Sequence, residues 1–347
     1  MKYVAPWWLP GGNLQTIWPA LYARRVKGAP PQYRRERWTT PDGDFIDVDF
    51  LVPSAKGAGP GDAGSGTAGA HPEDQPLLVL FHGLEGSSRS HYAEAFADWC
   101  TQQGIAFAVP HFRGCSGELN HGPRAYHSGD FAEIDWILRR LRAQHAAQGG
   151  GPLLAVGISL GGNALMRWAG EMGAAAGAVA NAVAAVSSPL DLAAGGHAIG
   201  RGFNRLVYTR MFLNTMKPKA LAKLDQHPGL FDRAALLAAR DLYGFDQHFT
   251  APLHGFSSTE DYWARASAKP HLARIRIPAL LVNALNDPFV PASSLPKRHE
   301  VGSHVTLWQP RHGGHVGFVQ GRPPGHVLSM PQAVGSWLLG ALPASRQ

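Results

Sequence analysis

Residues 153–165 read Leu153-Leu154-Ala155-Val156-Gly157-Ile158-Ser159-Leu160-Gly161-Gly162-Asn163-Ala164-Leu165. A short apolar run, typical of a buried parallel strand, breaks into Gly-x-Ser-x-Gly and continues as helix-forming sequence. This order predicts a sharp strand-to-helix turn in which glycines two before and two after Ser159 keep neighbouring side chains away from its hydroxyl. Ser159 is therefore a candidate nucleophile, exposed at the edge of a sheet.

Strand-like runs recur on both sides of this turn and alternate with helical patterns. The patterns predict core strands at 77–81, 105–110, 153–157, 183–187, 279–284 and 305–308. They predict helices at 90–103, 128–148, 162–172 and 331–342, and an antiparallel hairpin at 34–52 with its turn at 41–44. Strands that alternate with helices indicate βαβ units, so the predicted class is α/β, with a mostly parallel central sheet flanked by helices.

The interval between the fourth and fifth core strands is much longer than a crossover helix requires. We interpret residues 191–268 as a helical cap, inserted before the strand that carries the candidate acid and placed over the carboxyl edge of the sheet, where open α/β sheets bind ligands. The predicted core then comprises residues 34–190 and 269–347, and residues 1–33 form an N-terminal arm packed on it. Within the core, residues 54–75 are rich in Gly and Ala and predict a flexible loop.

Composition excludes several classes of function. The 347 residues are 45 % hydrophobic and 16 % charged, and the formal net charge of +7 comes from scattered Lys and Arg residues. We therefore expect no nucleic-acid partner. Cys100 and Cys115 are too few for a disulfide framework and lack metal-site spacing, so we expect neither a metal nor another cofactor. The first ten residues lack the apolar core of a signal peptide, which favours a cytoplasmic protein without stable membrane insertion. The oligomeric state stays open.

A serine hydroxyl is a weak nucleophile at neutral pH, so Ser159 needs a base, and the base needs an orienting acid. The chain order expected for this type of turn is Ser, then Asp or Glu, then His. Asp287 directly follows the strand at 279–284 and is the leading candidate acid. The alternative is Asp191, which follows the strand at 183–187.

Three histidines compete for the role of base. His315 lies in the loop after the last core strand, behind Gly313-Gly314, and these glycines let the loop bring an imidazole over Ser159. His312 precedes those glycines, and His304 directly precedes a strand. His315 is therefore the predicted base, and His312 and His304 are the alternatives.

Acyl transfer also needs N–H donors for the oxyanion that develops on the substrate carbonyl. The glycine-rich loop at 81–86 can direct the backbone N–H of Leu84 to the site, beside that of Leu160. In the cap, Phe212 and Met216 are candidate substrate-binding residues that would line an acyl pocket. The alternative is that they only pack the cap onto the core.

The N-terminal arm is rich in tryptophan. Trp is favoured where an apolar ring meets a wet boundary, so Trp7, Trp8 and Trp18 raise the hypothesis of a membrane interface. Prolines at 6, 10 and 19 exclude a continuous amphipathic helix of the kind that anchors at such a surface. We therefore predict that the arm folds back onto the core and buries at least one tryptophan.

Together these motifs resemble those of the YheT-like α/β-hydrolases. The resemblance extends over nearly the whole chain and rests on Trp7-Trp8-Leu9-Pro10-Gly11-Gly12-Asn13-Leu14-Gln15-Thr16-Ile17, His82-Gly83-Leu84-Glu85-Gly86, Phe112-Arg113-Gly114-Cys115, Gly157-Ile158-Ser159-Leu160-Gly161-Gly162-Asn163, Asn286-Asp287-Pro288-Phe289 and Gly313-Gly314-His315-Val316-Gly317-Phe318. It implies an eight-stranded core, a catalytic triad on Ser159, Asp287 and His315, and carboxylesterase or lipase-like activity.

The candidate catalytic residues and the family resemblance lead to the same functional expectation. The chain is predicted to be a serine hydrolase that cleaves small-molecule carboxylic esters with short to medium acyl chains, lipid-like esters included, through an acyl-enzyme. Two alternatives stay open. The same triad supports thioesterase or amidase chemistry, and the fold can also serve as a binding protein without turnover.

Overall fold

The computed structural model describes residues 2–53 and 74–343, and in these ranges one eight-stranded sheet runs through the molecule. Its strands lie in the order β1-β2-β4-β3-β5-β6-β7-β8. They are β1 Tyr33–Thr39, β2 Phe45–Leu51, β3 Leu77–Phe81, β4 Ala106–Pro110, β5 Leu153–Ile158, β6 Ala182–Val186, β7 Ala279–Val282 and β8 Val305–Trp308. Each predicted core strand is present, with ends within two residues of the prediction.

Helices connect the strands, as expected for βαβ units. They are α1 Gly12–Leu21, α2 His91–Gln103, α3 Phe131–Ala147, α4 Leu160–Met172, α5 Leu192–Ile199, α6 Gly202–Asn204, α7 Arg210–Gln226, α8 Arg233–Ala238, α9 Leu242–Phe245, α10 Ala251–Leu253, α11 Thr259–Ala266 and α12 Ser329–Gly340. No helix among the described residues is both long and apolar enough to cross a membrane.

Strands β1 and β2 form the predicted antiparallel hairpin. Their register pairs Tyr33 with Leu51 and Thr39 with Phe45, and β2 also pairs antiparallel with β4. From β4 to β8 all neighbouring strands are parallel. The hairpin therefore extends one edge of a parallel sheet, and the carboxyl ends of β3 to β8 meet at the same edge.

The parallel strands are buried on both faces. Along β5, Leu153 and Ala155 join one apolar layer, and Leu154 and Val156 join the other. Helices α3 and α4 cover the first layer, and α2 and α12 cover the second. Because successive side chains of a strand point to opposite faces, a continuous apolar run can supply both layers.

Three predicted helix starts differ from the observed ones by two or three residues. Helix α3 begins three residues late because Asp130 caps it, accepting the Glu133 N–H at 3.3 Å. Helix α4 begins directly after Ser159, because the turn places only one residue, the serine, between strand and helix. Helix α12 begins at Ser329, so Pro331 lies in the first turn. N–H groups in a first turn have no acceptor within the helix, so a proline costs no helical hydrogen bond there.

Helices α5 to α11 all fall between β6 and β7, where the cap was predicted. We call residues 191–268 the cap; its exact division from the core stays a prediction. Two small apolar clusters hold it together, one around Trp263 and Tyr262 and the other around Phe245 and Leu236. Two single turns of π-helix, Arg205–Thr209 and Asp246–Thr250, interrupt its helices. Such turns are rare and occur frequently at functional sites.

The N-terminal arm contacts the segment that precedes α12. Trp8 donates its indole N–H to Gly321 O at 3.0 Å, and Trp18 donates to Pro324 O at 2.7 Å. Leu9 is buried, but Trp8 and Trp18 are only half-buried and Trp7 is 92 % exposed. The arm thus buries Trp8 and Trp18 only in part, whereas the sequence predicted at least one buried tryptophan, because each of these two indoles keeps its N–H near the surface to reach a carbonyl. The loop predicted at 54–75 lies outside the described residues except for its last two positions.

Candidate active site

The turn between β5 and α4 is strained at Ser159. Its backbone has φ 53° and ψ −118°, a region that costs a non-glycine residue about 1–3 kcal/mol. Close backbone contacts enforce the turn: a Cβ at Gly157 would lie 2.5 Å from Gly161 O, and one at Gly161 would overlap the carbonyls at the end of β3. The glycines are therefore required by packing, and the turn holds the Ser159 hydroxyl above the sheet edge.

Ser159, His315 and Asp287 form a chain of hydrogen bonds. His315 Nε2 lies 2.9 Å from Ser159 Oγ, and His315 Nδ1 lies 2.9 Å from Asp287 Oδ2. Because a carboxylate only accepts, Nδ1 carries the proton, and Nε2 is left free to accept the serine proton. Asp287 Oδ1 also accepts the N–H of Phe289 at 2.8 Å. These bonds keep the fully buried carboxylate oriented toward the imidazole.

The alternative residues have other contacts. Asp191 caps α5, where it accepts the N–H of Ala194 at 3.0 Å. His304 has its Nδ1 3.4 Å from Ser303 Oγ, and His312 is exposed. The structure joins Asp287 and His315 to Ser159 by hydrogen bonds. None of the three alternative residues takes part in these bonds.

Leu84 and Leu160 lie beside Ser159, and neither backbone N–H donates a hydrogen bond to another described residue. Leu160 is the first residue of α4, so its N–H has no acceptor within the helix. Leu84 makes no backbone N–H hydrogen bond to another described residue, and both leucines line the same cavity as Ser159. A Cβ at Gly83 would lie 3.2 Å from the Ser159 Cβ, so the loop that carries Leu84 passes directly beside the serine.

A buried histidine fixes the start of that loop. His82 donates its Nδ1–H to Gly83 O at 2.8 Å, and its Nε2 accepts the N–H of Phe112 at 3.1 Å. Burial, with a smaller contribution from neighbouring His111, lowers the pKa of His82 to about 3. His82 is therefore neutral at physiological pH, and this tautomer ties the loop after β3 to the loop after β4.

Glu85 connects the same loop to the cap. It has φ +57°, which is unusual for a non-glycine residue, and its side chain accepts the Tyr126 hydroxyl at 2.9 Å. The Tyr126 hydroxyl accepts the Glu85 N–H in turn, at 3.1 Å. Lys219 of α7 lies 2.8 Å from the second Glu85 carboxylate oxygen. These contacts fix the loop and give Lys219 a role that the sequence patterns did not indicate.

A cavity of about 160 Å³ opens beside Ser159 and His315, between the core and the cap. Phe212 and Met216 both line it, as an acyl pocket would require. Each also has packing contacts: Phe212 lies against a cluster that joins Tyr208 of the cap to Phe289 of the core, and Met216 lies against the Leu213 cluster. Both interpretations of these residues therefore have structural support. Most of the remaining wall is apolar and comes from Leu84, Leu160, Leu192, Ile199, Leu242, Phe245, Phe249, Trp263 and Phe289.

One side chain of the N-terminal arm reaches the site. Thr16 Oγ1 accepts the backbone N–H of His315 at 2.9 Å, and the Thr16 hydroxyl donates to Gly12 O at 2.7 Å. Sequence reasoning missed this contact. The available signal was a pair of polar residues, Gln15 and Thr16, inside an otherwise apolar segment that carries much of the family resemblance.

Comparison with known proteins gives consistent results. A family model described as the alpha/beta hydrolase fold matches residues 76–322. YheT of Escherichia coli strain K12, a proposed esterase, is 37 % identical over 334 residues, which cover 96 % of this chain and 91 % of YheT. Human phospholipase ABHD3 is 26 % identical, over 84 % of this chain and 68 % of its own length.

A solved structure shows the same fold. The Pyrococcus furiosus esterase Pf2001 superposes with a TM-score of 0.55 over 92 % of this chain and 98 % of its own, at 16 % sequence identity. At this identity the likeness concerns the fold alone.

Proposed function

The chain belongs to the α/β-hydrolase family, on its YheT-like branch, and from this premise we propose that it is a serine hydrolase that cleaves carboxylic esters through an acyl-enzyme. The single observation that carries the proposal is the hydrogen-bonded chain from Ser159 through His315 to Asp287, with both distances at 2.9 Å. Relatives described as an esterase and a phospholipase support ester substrates.

The proposed reaction has two halves. Ser159 Oγ attacks the ester carbonyl while His315 Nε2 takes its proton, and the imidazolium then returns that proton to the leaving alcohol. The C–O bond to the alcohol breaks, and an ester between Ser159 and the acyl group remains. Water, activated by the same His315, hydrolyses this acyl-enzyme. Asp287 keeps the imidazole in the required tautomer and stabilises its charged form.

The negative charge on the tetrahedral intermediate needs donors that are already in place. The N–H groups of Leu84 and Leu160 are the proposed donors, and removing one such donor typically costs about 3–4 kcal/mol of transition-state stabilisation. The strained turn at Ser159 fixes the start of α4, which carries the Leu160 N–H, and the hydrogen bonds of His82 fix the start of the loop that carries Leu84, so little reorganisation is needed during the reaction.

The cavity supports acyl groups of short to medium length. An apolar cavity of about this size admits a ligand as large as benzene. Its apolar wall favours a hydrocarbon chain, and the adjoining cap residues Phe212 and Met216 would set the accepted length. The similarity to human phospholipase ABHD3 supports lipid-like esters as a proposal for this chain.

A fluorophosphonate probe tests the proposal directly, because it reacts with an activated serine. We expect the wild-type protein to be labelled at Ser159 and to hydrolyse a short p-nitrophenyl ester, and we expect Ser159→Ala and His315→Ala to lose both properties while remaining folded. Near-normal turnover by Ser159→Ala would contradict the assignment. A panel of matched esters, thioesters and amides then identifies the preferred bond.

A further inference from the structure

The N-terminal arm contacts both loops that carry the proposed acid and base. Gln15 and Thr16 are 2 % and 8 % exposed. Gln15 Oε1 accepts two N–H groups, each at 2.9 Å. One is the backbone N–H of Gly313 in the loop that carries the proposed base (the base loop), and the other is the side-chain N–H of Asn286 in the loop that carries the proposed acid (the acid loop). One buried amide oxygen therefore links the two loops, and the Thr16 hydroxyl receives the N–H of His315 itself.

The base loop needs such external contacts because its own backbone is strained. Four of the six residues from 313 to 318 have positive φ: Gly313 at +148°, Gly314 at +62°, Val316 at +57° and Phe318 at +49°. Val316 is β-branched, for which this conformation is a genuine outlier. Strained backbone of this kind persists only where the surrounding structure over-determines it.

The fit between the arm and the base loop is close. A Cβ at Gly314 would lie 2.7 Å from the Gln15 carbonyl carbon, and a Cβ at Gly317 would overlap the Gln15 carbonyl oxygen. On the acid loop, a Cβ at Gly12 would overlap Asn286 O. Glycines at the contact points thus let α1 lie directly against both loops, and its side chains provide acceptors where the loops present N–H groups.

We propose that Gln15 and Thr16 are positioning residues, which hold the loops of His315 and Asp287 in the geometry that the Ser159–His315–Asp287 chain requires. The inference rests on the proposed function, because it assigns the arm to the same site. Neither side chain touches the reacting atoms. Their effect passes through the main chain of His315 and through Asn286, which neighbours Asp287.

The test uses Thr16→Val, which keeps the shape of the side chain and removes its hydroxyl. We expect kcat for a p-nitrophenyl ester to fall by about 10- to 100-fold, with KM within about threefold of the wild-type value, because a small displacement of a catalytic group lowers the rate more than binding. Thr16→Ser restores the acceptor, and we expect its kcat to return to within about threefold of wild type.

Thr259→Val is the matched control. Thr259 is also buried, its hydroxyl donates to Tyr243 O at 3.0 Å, and neither residue lines the cavity or belongs to either loop. Losing its hydroxyl should lower stability without lowering kcat. A kcat for Thr16→Val that equals that of Thr259→Val overturns the positioning role.

A second readout does not depend on turnover. In the wild type, the proton between His315 Nδ1 and Asp287 should give a far-downfield NMR signal, and we expect this signal to weaken or vanish in Thr16→Val but to persist in Thr259→Val. An unchanged signal in Thr16→Val overturns the inference. If Thr16→Val does not fold, Gln15→Met takes its place, and an unchanged kcat per folded molecule has the same meaning.

These readouts separate the two proposals. A wild-type protein that is neither labelled by the fluorophosphonate nor active contradicts the proposed function, whereas the NMR signal still tests the positioning role. A wild-type protein that is labelled and active, together with an equally active Thr16→Val, contradicts the positioning role alone.

Discussion

Asp246 in the cap should make the stability of the protein depend on pH. It lies in the wall of the cavity, where it accepts the Thr250 hydroxyl at 2.6 Å and the Trp263 indole N–H at 2.9 Å. Burial raises the pKa of its carboxyl group from 3.8 to about 6. A carboxyl group with a raised folded-state pKa destabilises the fold once it ionises, and the penalty grows as pH rises from about 4 to about 7.

The size of the penalty follows from the shift. About two pKa units at 1.36 kcal/mol each give a penalty of about 3 kcal/mol near pH 7.5, and only about 1 kcal/mol near pH 4.5. Asp246→Asn removes this penalty. The variant loses one hydrogen bond, because the amide nitrogen of Asn cannot accept as the second carboxylate oxygen of Asp does. That loss is the same at both pH values.

The measurement is urea unfolding of both proteins near pH 4.5 and near pH 7.5. The free energy of unfolding of Asp246→Asn minus that of wild type should be about 2 kcal/mol larger near pH 7.5 than near pH 4.5, so the substitution stabilises the fold more at the higher pH. Asp225→Asn, at an exposed cap carboxylate, is the control and should change little at either pH. A difference between Asp246→Asn and wild type that is equal at both pH values would refute the reasoning.

Three further expectations concern the site and the arm. Asp287→Asn should lower turnover by about 10³- to 10⁴-fold by favouring the wrong imidazole tautomer, whereas Asp191→Asn should leave it nearly unchanged; the reverse pattern in steady-state kinetics would move the acid to the other strand. Phe212→Ala and Met216→Ala should shift the preferred acyl length upward in a chain-length series, and a fall in melting temperature with no change in preference would mean that these residues only pack the cap. The full chain should sediment weakly with anionic liposomes at physiological salt, because the arm is engaged with the core; strong binding that disappears on deleting residues 1–20 would contradict this.

Local chemistry explains why the central parts of the site could be predicted from sequence. The turn at Ser159 needs glycines at fixed offsets, a strand before it and a helix after it. All of these features lie within thirteen consecutive residues and can be recognised from the local sequence. Asp287 and His315 lie in the loops that follow two recognisable strands, and the carboxyl ends of parallel strands meet at one edge. The strands themselves were recognisable because a sheet buried on both faces needs continuous apolar runs.

The missed features depend on contacts that no local pattern records. Gln15 and Gly313 are 298 positions apart, and Thr16 and His315 are 299 apart. The positive φ of Glu85 is equally hidden, since a glutamate does not mark a left-handed position as a glycine does. Its conformation is set by Tyr126 and Lys219, which reach it from other parts of the chain.

The long separation between the arm and the base loop has a consequence for synthesis. Helix α1 leaves the ribosome long before the base loop, because the N–H groups that Gln15 and Thr16 accept belong to residues translated almost 300 positions later. At about 5–20 residues per second this interval lasts on the order of 15–60 s. During that time Gln15 and Thr16 lack their partners in the base loop, and the imidazole of His315 does not yet exist. Under the proposed function, the nascent chain therefore lacks its base until translation has passed His315, and activity begins only after the loop of His315 has met helix α1.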